Sequence, residues 1–259
     1  MSIRTSFNPL GTLGAEYWVE VPAGMTVQEV TGRVALPRRI RYIGATAPTS
    51  SYKFIASTGA ANWPAEIFIE VPLTNYGATL QCGIVWSKKV HFLFPNGAYR
   101  YVAAGYSMSN GAMQHVEEVY LEIGGNGITV NNFFTNSWAE VQKISIKMSG
   151  GTLGRLAKFS SNTGLAVFEL DAPSLRTADL GFLGNSAQGE SVVLSALRQL
   201  PTRATQDGNL TLYESSKVYS AVHTWLTELG IEHSYTAGSA PVVAEGQPLP
   251  KGWTITYTT

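Results

Sequence analysis

Four short apolar segments recur in the second half of this chain and limit how it can fold. They are Val119-Tyr-Leu-Glu-Ile123, Lys143-Ile-Ser-Ile-Lys147, Val167-Phe-Glu-Leu-Asp171 and Asn209-Leu-Thr-Leu-Tyr213. Leu121 to Ile144 is 23 residues, Ile144 to Phe168 is 24 and Phe168 to Leu210 is 42. After three of the segments comes a small-residue turn and a further aliphatic residue: Ile128, Leu153 or Leu175. A unit this short cannot bury its own apolar face. Stacking on its neighbours makes a continuous core from the aliphatic positions. The turns Gly124-Gly-Asn-Gly127 and Ser149-Gly-Gly151 let the chain leave each strand. Such a repeat specifies a fold and no reaction.

The chain before the repeat also reads as strands. Tyr17–Val21, Val27–Leu36, Ile40–Ile43, Tyr52–Ile55, Ile67–Val71, Thr79–Val85 and Val90–Phe94 are each bounded by Gly, Pro, Ser or Thr. Asn96-Gly97 comes after Phe94 and precedes Ala98-Tyr-Arg-Tyr-Val102. Both turn residues tolerate positive φ, so the pair predicts a hairpin. Strand runs at roughly ten-residue spacing predict an antiparallel β sandwich or barrel. The expected organisation is an extended arm over 1–14, an antiparallel β domain over 15–115, and a repeat domain over 116–259. The junction falls in the small, polar stretch 103–118.

Two helices interrupt the repeat. Gly189 to Leu200 carries apolar residues at 193, 194, 197 and 200, with Ser186 or Ser191 as cap and Pro201 as stop. Ser216 to Leu229 places Val218, Val222, Trp225, Leu226 and Leu229 on one face, with Gly230 as its end. A last strand, Gly252-Trp-Thr-Ile-Thr-Tyr257, closes the stack.

Composition narrows function by exclusion. The chain is 44% hydrophobic and 14% charged, with 18 basic and 18 acidic residues, for a formal net charge of zero. No basic patch is concentrated enough for nucleic acid, and no 18-residue apolar run predicts membrane insertion. A neutral, aromatic-rich surface suits a subunit partly covered by neighbours. Cys82 is the only cysteine, so no intrachain disulfide and no cysteine zinc site are expected. His91, His115, His223 and His233 form no close ligand pair, so no metal is expected. His115 with Glu117 and Glu118 reads as a polar turn. A nucleophile elbow, a P-loop and a dinucleotide fingerprint are all missing, so neither catalytic residues nor a cofactor are expected. Glu169, Asp171 and Asp179 are the carboxylates closest to a glycosidase arrangement, but two of them leave one strand in the same direction.

Two groups of residues remain as candidate contacts. Trp63, Trp86, Tyr99, Tyr101 and Tyr106 crowd the amino-terminal region, where exposed rings would stack on sugars or meet a protein partner. The alternative is a core role: Val90, Phe92 and Phe94 share one face, Tyr99 and Tyr101 share one on the returning strand, and the two sets make cross-strand pairs. The arm residues Phe7, Asn8, Pro9 and Leu10 either dock on a neighbouring subunit or strap across their own domain.

Val167-Phe-Glu-Leu-Asp-Ala-Pro-Ser-Leu-Arg-Thr-Ala-Asp-Leu180 resembles the irregular leucine-rich repeats of bacterial surface and phage proteins. The remainder of the chain is similar to the closing unit of such arrays in phage tail and fibre proteins: a helix, Leu200-Pro201, Gly208-Asn-Leu-Thr-Leu212, a second helix, and Lys251-Gly-Trp-Thr-Ile255. The asparagine usual after the repeat strand is replaced near Gly124, Met148 and Ala172. The resemblance covers residues 119–259. It implies a leucine-rich-repeat-like β/α solenoid in a bacteriophage tail, baseplate or fibre subunit, made in the host cytoplasm without a signal peptide. Its partners would be other virion proteins and copies of itself. A second reading is a receptor- or carbohydrate-binding adhesin module that takes a host surface glycan.

Overall fold

The computed structural model describes residues 17–22, 24–43, 51–53, 59–70, 79–81, 85–95, 115–125, 127–128, 140–155, 164–185 and 189–258. In chain order the first elements are β1 (Val19–Pro22), α1 (Val27–Thr31), β2 (Arg39–Ile43), β3 (Ser51–Lys53), β4 (Glu66–Glu70), β5 (Thr79–Gln81) and β6 (Lys89–Phe94). Next come β7 (Glu118–Ile123), β8 (Gly127–Ile128), β9 (Lys143–Met148), β10 (Thr152–Leu153), β11 (Val167–Asp171) and β12 (Thr177–Asp179). The last are α2 (Gly189–Gln199), β13 (Gly208–Tyr213), α3 (Ser216–Glu228), β14 (His233–Ser234), β15 (Val242–Val243) and β16 (Trp253–Thr258).

Seven strands make one sheet in the order β1-β2-β4-β6-β7-β9-β11, with every pairing parallel. Five more make a second parallel sheet, β16-β13-β12-β10-β8. β3 pairs parallel with β5, and β14 with β15 forms a small antiparallel ribbon. Successive coils each add a strand to the growing sheets, which is a parallel β-solenoid.

The antiparallel sandwich or barrel expected over 15–115 is therefore wrong. A solenoid strand has one face inward and one outward, so it alternates with period two just as a half-buried antiparallel strand does. Alternation alone could not separate the two. β6 has β4 on one edge and β7 on the other, both parallel. The hairpin expected at Asn96-Gly97, with its returning segment 98–102, lies outside the described residues. The leucine-rich-repeat-like β/α solenoid is corrected too, because helices do not alternate with strands. Among the described residues α2 and α3 sit together near the carboxyl end. The strand expected over Val27–Leu36 is wrong as well: Val27–Thr31 is the short helix α1, started by a Thr26–Glu29 capping box that satisfies its first N–H groups.

The ladder crosses the position where a domain junction was expected, since β6 and β7 pair over six registers. Its inward side chains align in columns. One column runs Ile67, Val90, Val119, Ile144, Phe168, and a second runs Val19, Ile40, Ile69, Phe92, Leu121, Ile146, Leu170. All but Val19 are buried. Leu121 pairs with Ile146 rather than Ile144, and Leu210 belongs to the second sheet. The 42-residue step is thus a change of sheet. Between strands the backbone packs tightly: a Cβ on Gly124 would lie 2.2 Å from the Pro95 carbonyl oxygen, so only glycine fits that corner.

The β11 edge is closed by a side chain. Gln199, the last residue of α2, accepts from the Leu170 N–H (2.6 Å) and donates to the Phe168 carbonyl (2.9 Å). Its amide supplies the bonds that another strand would make. α2 covers the same edge with Val192, Val193, Ala196 and Leu197 buried. Ser215 caps α3 by accepting from the Val218 N–H. Leu229, expected on its buried face, is 37% exposed.

Candidate interaction surface

Alternation that fills the core must also build the outer face of the seven-strand sheet. Three rows of side chains cross it at right angles to the strands. The first row is Glu66, Lys89, Glu118 and Lys143, alternating in sign. The second is Arg39, Phe68, His91, Tyr120, Ser145 and Glu169. The third begins Glu20, Arg41 and Glu70.

The second row is a stack. Phe68 and His91 lie 4.0 Å apart at 13°, and His91 and Tyr120 lie 4.4 Å apart at 6°. The Arg39 guanidinium sits 4.3 Å from the Phe68 ring centre, and Lys143 Nζ 5.6 Å from that of Tyr120. Trp18 receives Arg39 and Arg41 at 5.4 and 5.0 Å. Strand spacing near 4.8 Å is close to ring-stacking distance, so aligned aromatics stack without adjustment.

Ion pairs run within the rows and between them. Lys89 bridges to Glu118 (2.8 Å), Lys143 to Glu169 (2.7 Å), and Arg41 to Glu70 (2.9 Å). Arg38 holds Glu66, and Tyr120 donates to Glu118. These bonds set the titration of the face. The Arg38 hydrogen bond holds the Glu66 carboxyl below the usual range, and Lys89 does the same for Glu118. Burial, helped by the Glu118 bond, pushes the Tyr120 hydroxyl up to about 12. Burial also lowers His91, and this outweighs the pull of Glu66 in the other direction. His91 is thus neutral at pH 7, and its Nε2–H donates to the Glu66 carboxylate at 2.9 Å.

A second cluster lies at the corner before β6 and β7. Trp86 stacks on His115 at 4.1 Å and 11°. Lys88 reaches Glu117 at 2.8 Å and Glu140 at 3.8 Å, and His115 reaches Glu140 at 4.0 Å.

Trp63 is half-buried, packs against the core and has its indole N–H buried with no hydrogen-bond partner among the described residues. Trp86 lies in the corner cluster. Tyr99, Tyr101 and Tyr106 lie outside the described residues, as do Phe7, Asn8, Pro9 and Leu10. The rings of the outer face escape a reading of the sequence as a group. The register that aligns Phe68, His91 and Tyr120 depends on unequal coils of 23 and 29 residues.

Face-to-face stacking uses up ring faces. Phe68, His91 and Tyr120 present edges to solvent, and Trp86 has one face covered by His115. A pyranose stacks on an open ring face, and these rings leave mainly their edges free. Of the three carboxylates weighed for a glycosidase arrangement, Glu169 pairs with Lys143, Asp179 takes Arg155 (3.0 Å) and the Gly181 N–H (3.1 Å), and Asp171 is exposed at the end of β11. Among the described residues no group of three or more His, Cys, Asp or Glu is placed to hold a metal, and no helix is long and apolar enough to cross a membrane. Comparison with protein-family models, curated proteins and solved structures finds no match to this chain.

Proposed function

We propose that the chain is a structural subunit, a rigid β-solenoid of the bacteriophage tail, baseplate or fibre type that acts through protein–protein contacts. The observation that carries the reading is the outer face of the seven-strand sheet. Rings and ion pairs there hold one another in place, so the face is ordered before any partner arrives and loses little side-chain entropy on binding. Its alternating charges reward a partner with the complementary pattern and penalise others. A flat, extended surface suits a protein, whereas small ligands need a concave pocket. The virion setting and the contacts with other virion proteins rest on the resemblance of residues 119–259 to tail and fibre closing units.

The test is co-expression of the full chain with each protein encoded beside it, followed by measurement of complex stoichiometry. A discrete complex weakened by combining Lys89→Glu with Lys143→Glu supports the reading. Saturable binding on a glycan array, with no protein complex, would replace it with the adhesin reading.

A further inference from the structure

The two long sheets finish differently at the carboxyl end of the solenoid. At β11 the open edge is closed by Gln199 and α2. At β16 the strand has β13 on one side, and no other described element runs beside its outer edge. Peptide groups alternate sides along a strand. Thr258 offers its carbonyl to Glu214 N–H beyond the end of β13 (2.9 Å), so Thr254, Thr256 and Thr258 turn their peptide groups inward to β13. Ile255 and Tyr257 therefore turn theirs to the open side. The Trp253 N–H is already bonded to the Pro250 carbonyl.

Exposed edges normally carry a lysine, a proline or a bulge that blocks pairing. β16 reads Trp-Thr-Ile-Thr-Tyr-Thr and carries none of these. It is also held firmly. Trp253 is fully buried and donates to the Pro201 carbonyl (2.8 Å), and Lys251 Nζ ties the preceding turn to the Arg198 and Leu200 carbonyls. The inward layer is incomplete at this edge. Leu210 and Leu212 are fully buried, while their register partners Ile255 and Tyr257 are only half-buried.

We propose that β16 pairs antiparallel with β16 of a second copy, about a two-fold axis through Thr256, joining the two five-strand sheets into one. In that register Ile255 exchanges both main-chain hydrogen bonds with the partner's Tyr257, and the symmetric exchange occurs across the axis. Ile255 is covered by the partner's Tyr257, an aromatic and β-branched cross-strand pair. Thr256 meets the partner's Thr256 as a non-hydrogen-bonded pair, with Cα atoms about 4.5 Å apart. The occupant is a second copy because the strand matches itself. It carries no charge to repel its own image, and the whole chain has a formal net charge of zero. A six-residue strand is about 20 Å long, less than a standard interface offers. Association is therefore expected to be weak. This pairing does not use the outer face of the long sheet and stands independently of the role proposed above.

The experiment is sedimentation equilibrium of the full chain from about 1 to 500 µM, a span that reaches weak association, at low salt. Wild type is expected to show a monomer–dimer equilibrium. Thr256 is exposed, so Thr256→Lys and Thr256→Glu leave the fold intact, which circular dichroism checks. Each places like charges against each other across the axis and weakens the dimer at least about tenfold. Mixing the two variants restores it. Exchange of the Ile255 and Tyr257 amides in wild type slows as concentration rises, a readout that needs no variant. A wild type that stays monomeric throughout, or a dimer that Thr256→Lys leaves unchanged, overturns the proposal.

Discussion

Replacing Gln199 by Met keeps the length and apolar stem of the side chain and removes the amide that closes the β11 edge. Two main-chain groups then lose their partners: the Leu170 N–H, bonded at 2.6 Å, and the Phe168 carbonyl, bonded at 2.9 Å. A fully buried group left without a partner costs about 1–3 kcal/mol. Both bonds are part-buried, so water reaches them and the lower end applies. The expected loss is about 2 kcal/mol in all. With a urea slope of about 2 kcal/mol per molar, the unfolding midpoint falls by about 1 M. Hydrogen exchange at the Leu170 amide supplies a local readout and should accelerate more than exchange at Ile146, which lies inside the ladder. Gln199→Glu adds a check on mechanism. Its carboxylate accepts from Leu170 but opposes the Phe168 carbonyl, and protonation in acid restores a donor. The Glu variant should therefore recover relative to Met as pH falls through the carboxyl range. A Gln199→Met midpoint within about 0.2 M of wild type, a fifth of that expected shift, with unchanged Leu170 exchange, would refute edge closure by this side chain.

Three further outcomes rest on the same geometry. His91 has its pKa lowered by burial from 6.5, so its contribution to stability is complete above about pH 6.5 and is lost as pH falls through the depressed folded value. His91→Phe keeps a ring between Phe68 and Tyr120 and should flatten the stability profile just below pH 6.5, read by urea midpoints. Glu66, Glu118 and Glu169, whose pKa values are lowered from 4.5, hold their stabilisation above that pH and lose it only as pH falls further, leaving a separate acid limb in both proteins. Gly208→Ala would place a Cβ 2.6 Å from Cδ2 of Trp253, whose indole is held by Pro201. A loss of about 1–3 kcal/mol with altered tryptophan fluorescence is expected, and an unchanged thermal midpoint would contradict the packing. Lys143→Met breaks a partly exposed pair with Glu169 and should cost less than about 1 kcal/mol in urea unfolding, the usual worth of such a bridge.

Local signals in the chain have local consequences. Most strand positions are legible because β-branched and aromatic residues alternate between Gly- and Pro-marked turns, but Val27–Leu36 has the same look and its start folds as the helix α1. The helices at 189–199 and 216–228 are legible from their apolar spacing and from the Pro201 and Gly230 stops. The direction of strand pairing is not legible. A strand with one buried face has the same pattern whether its neighbour runs parallel or antiparallel, and the choice depends on how the intervening coil returns. The candidate surface shows the same division. Each of Phe68, His91 and Tyr120 is an ordinary outward residue in its own segment, and only the register across two coils of unequal length makes them one stack. Gln199 likewise reads as a polar residue at a helix end until the fold brings it 29 residues back to the β11 edge. Propensity and periodicity act over a few residues, so the amino-acid order alone dictates where strands, turns and helices form. Which strands meet, which edge is closed and which stays open are properties of distant segments brought together, and they arise only when the whole chain packs.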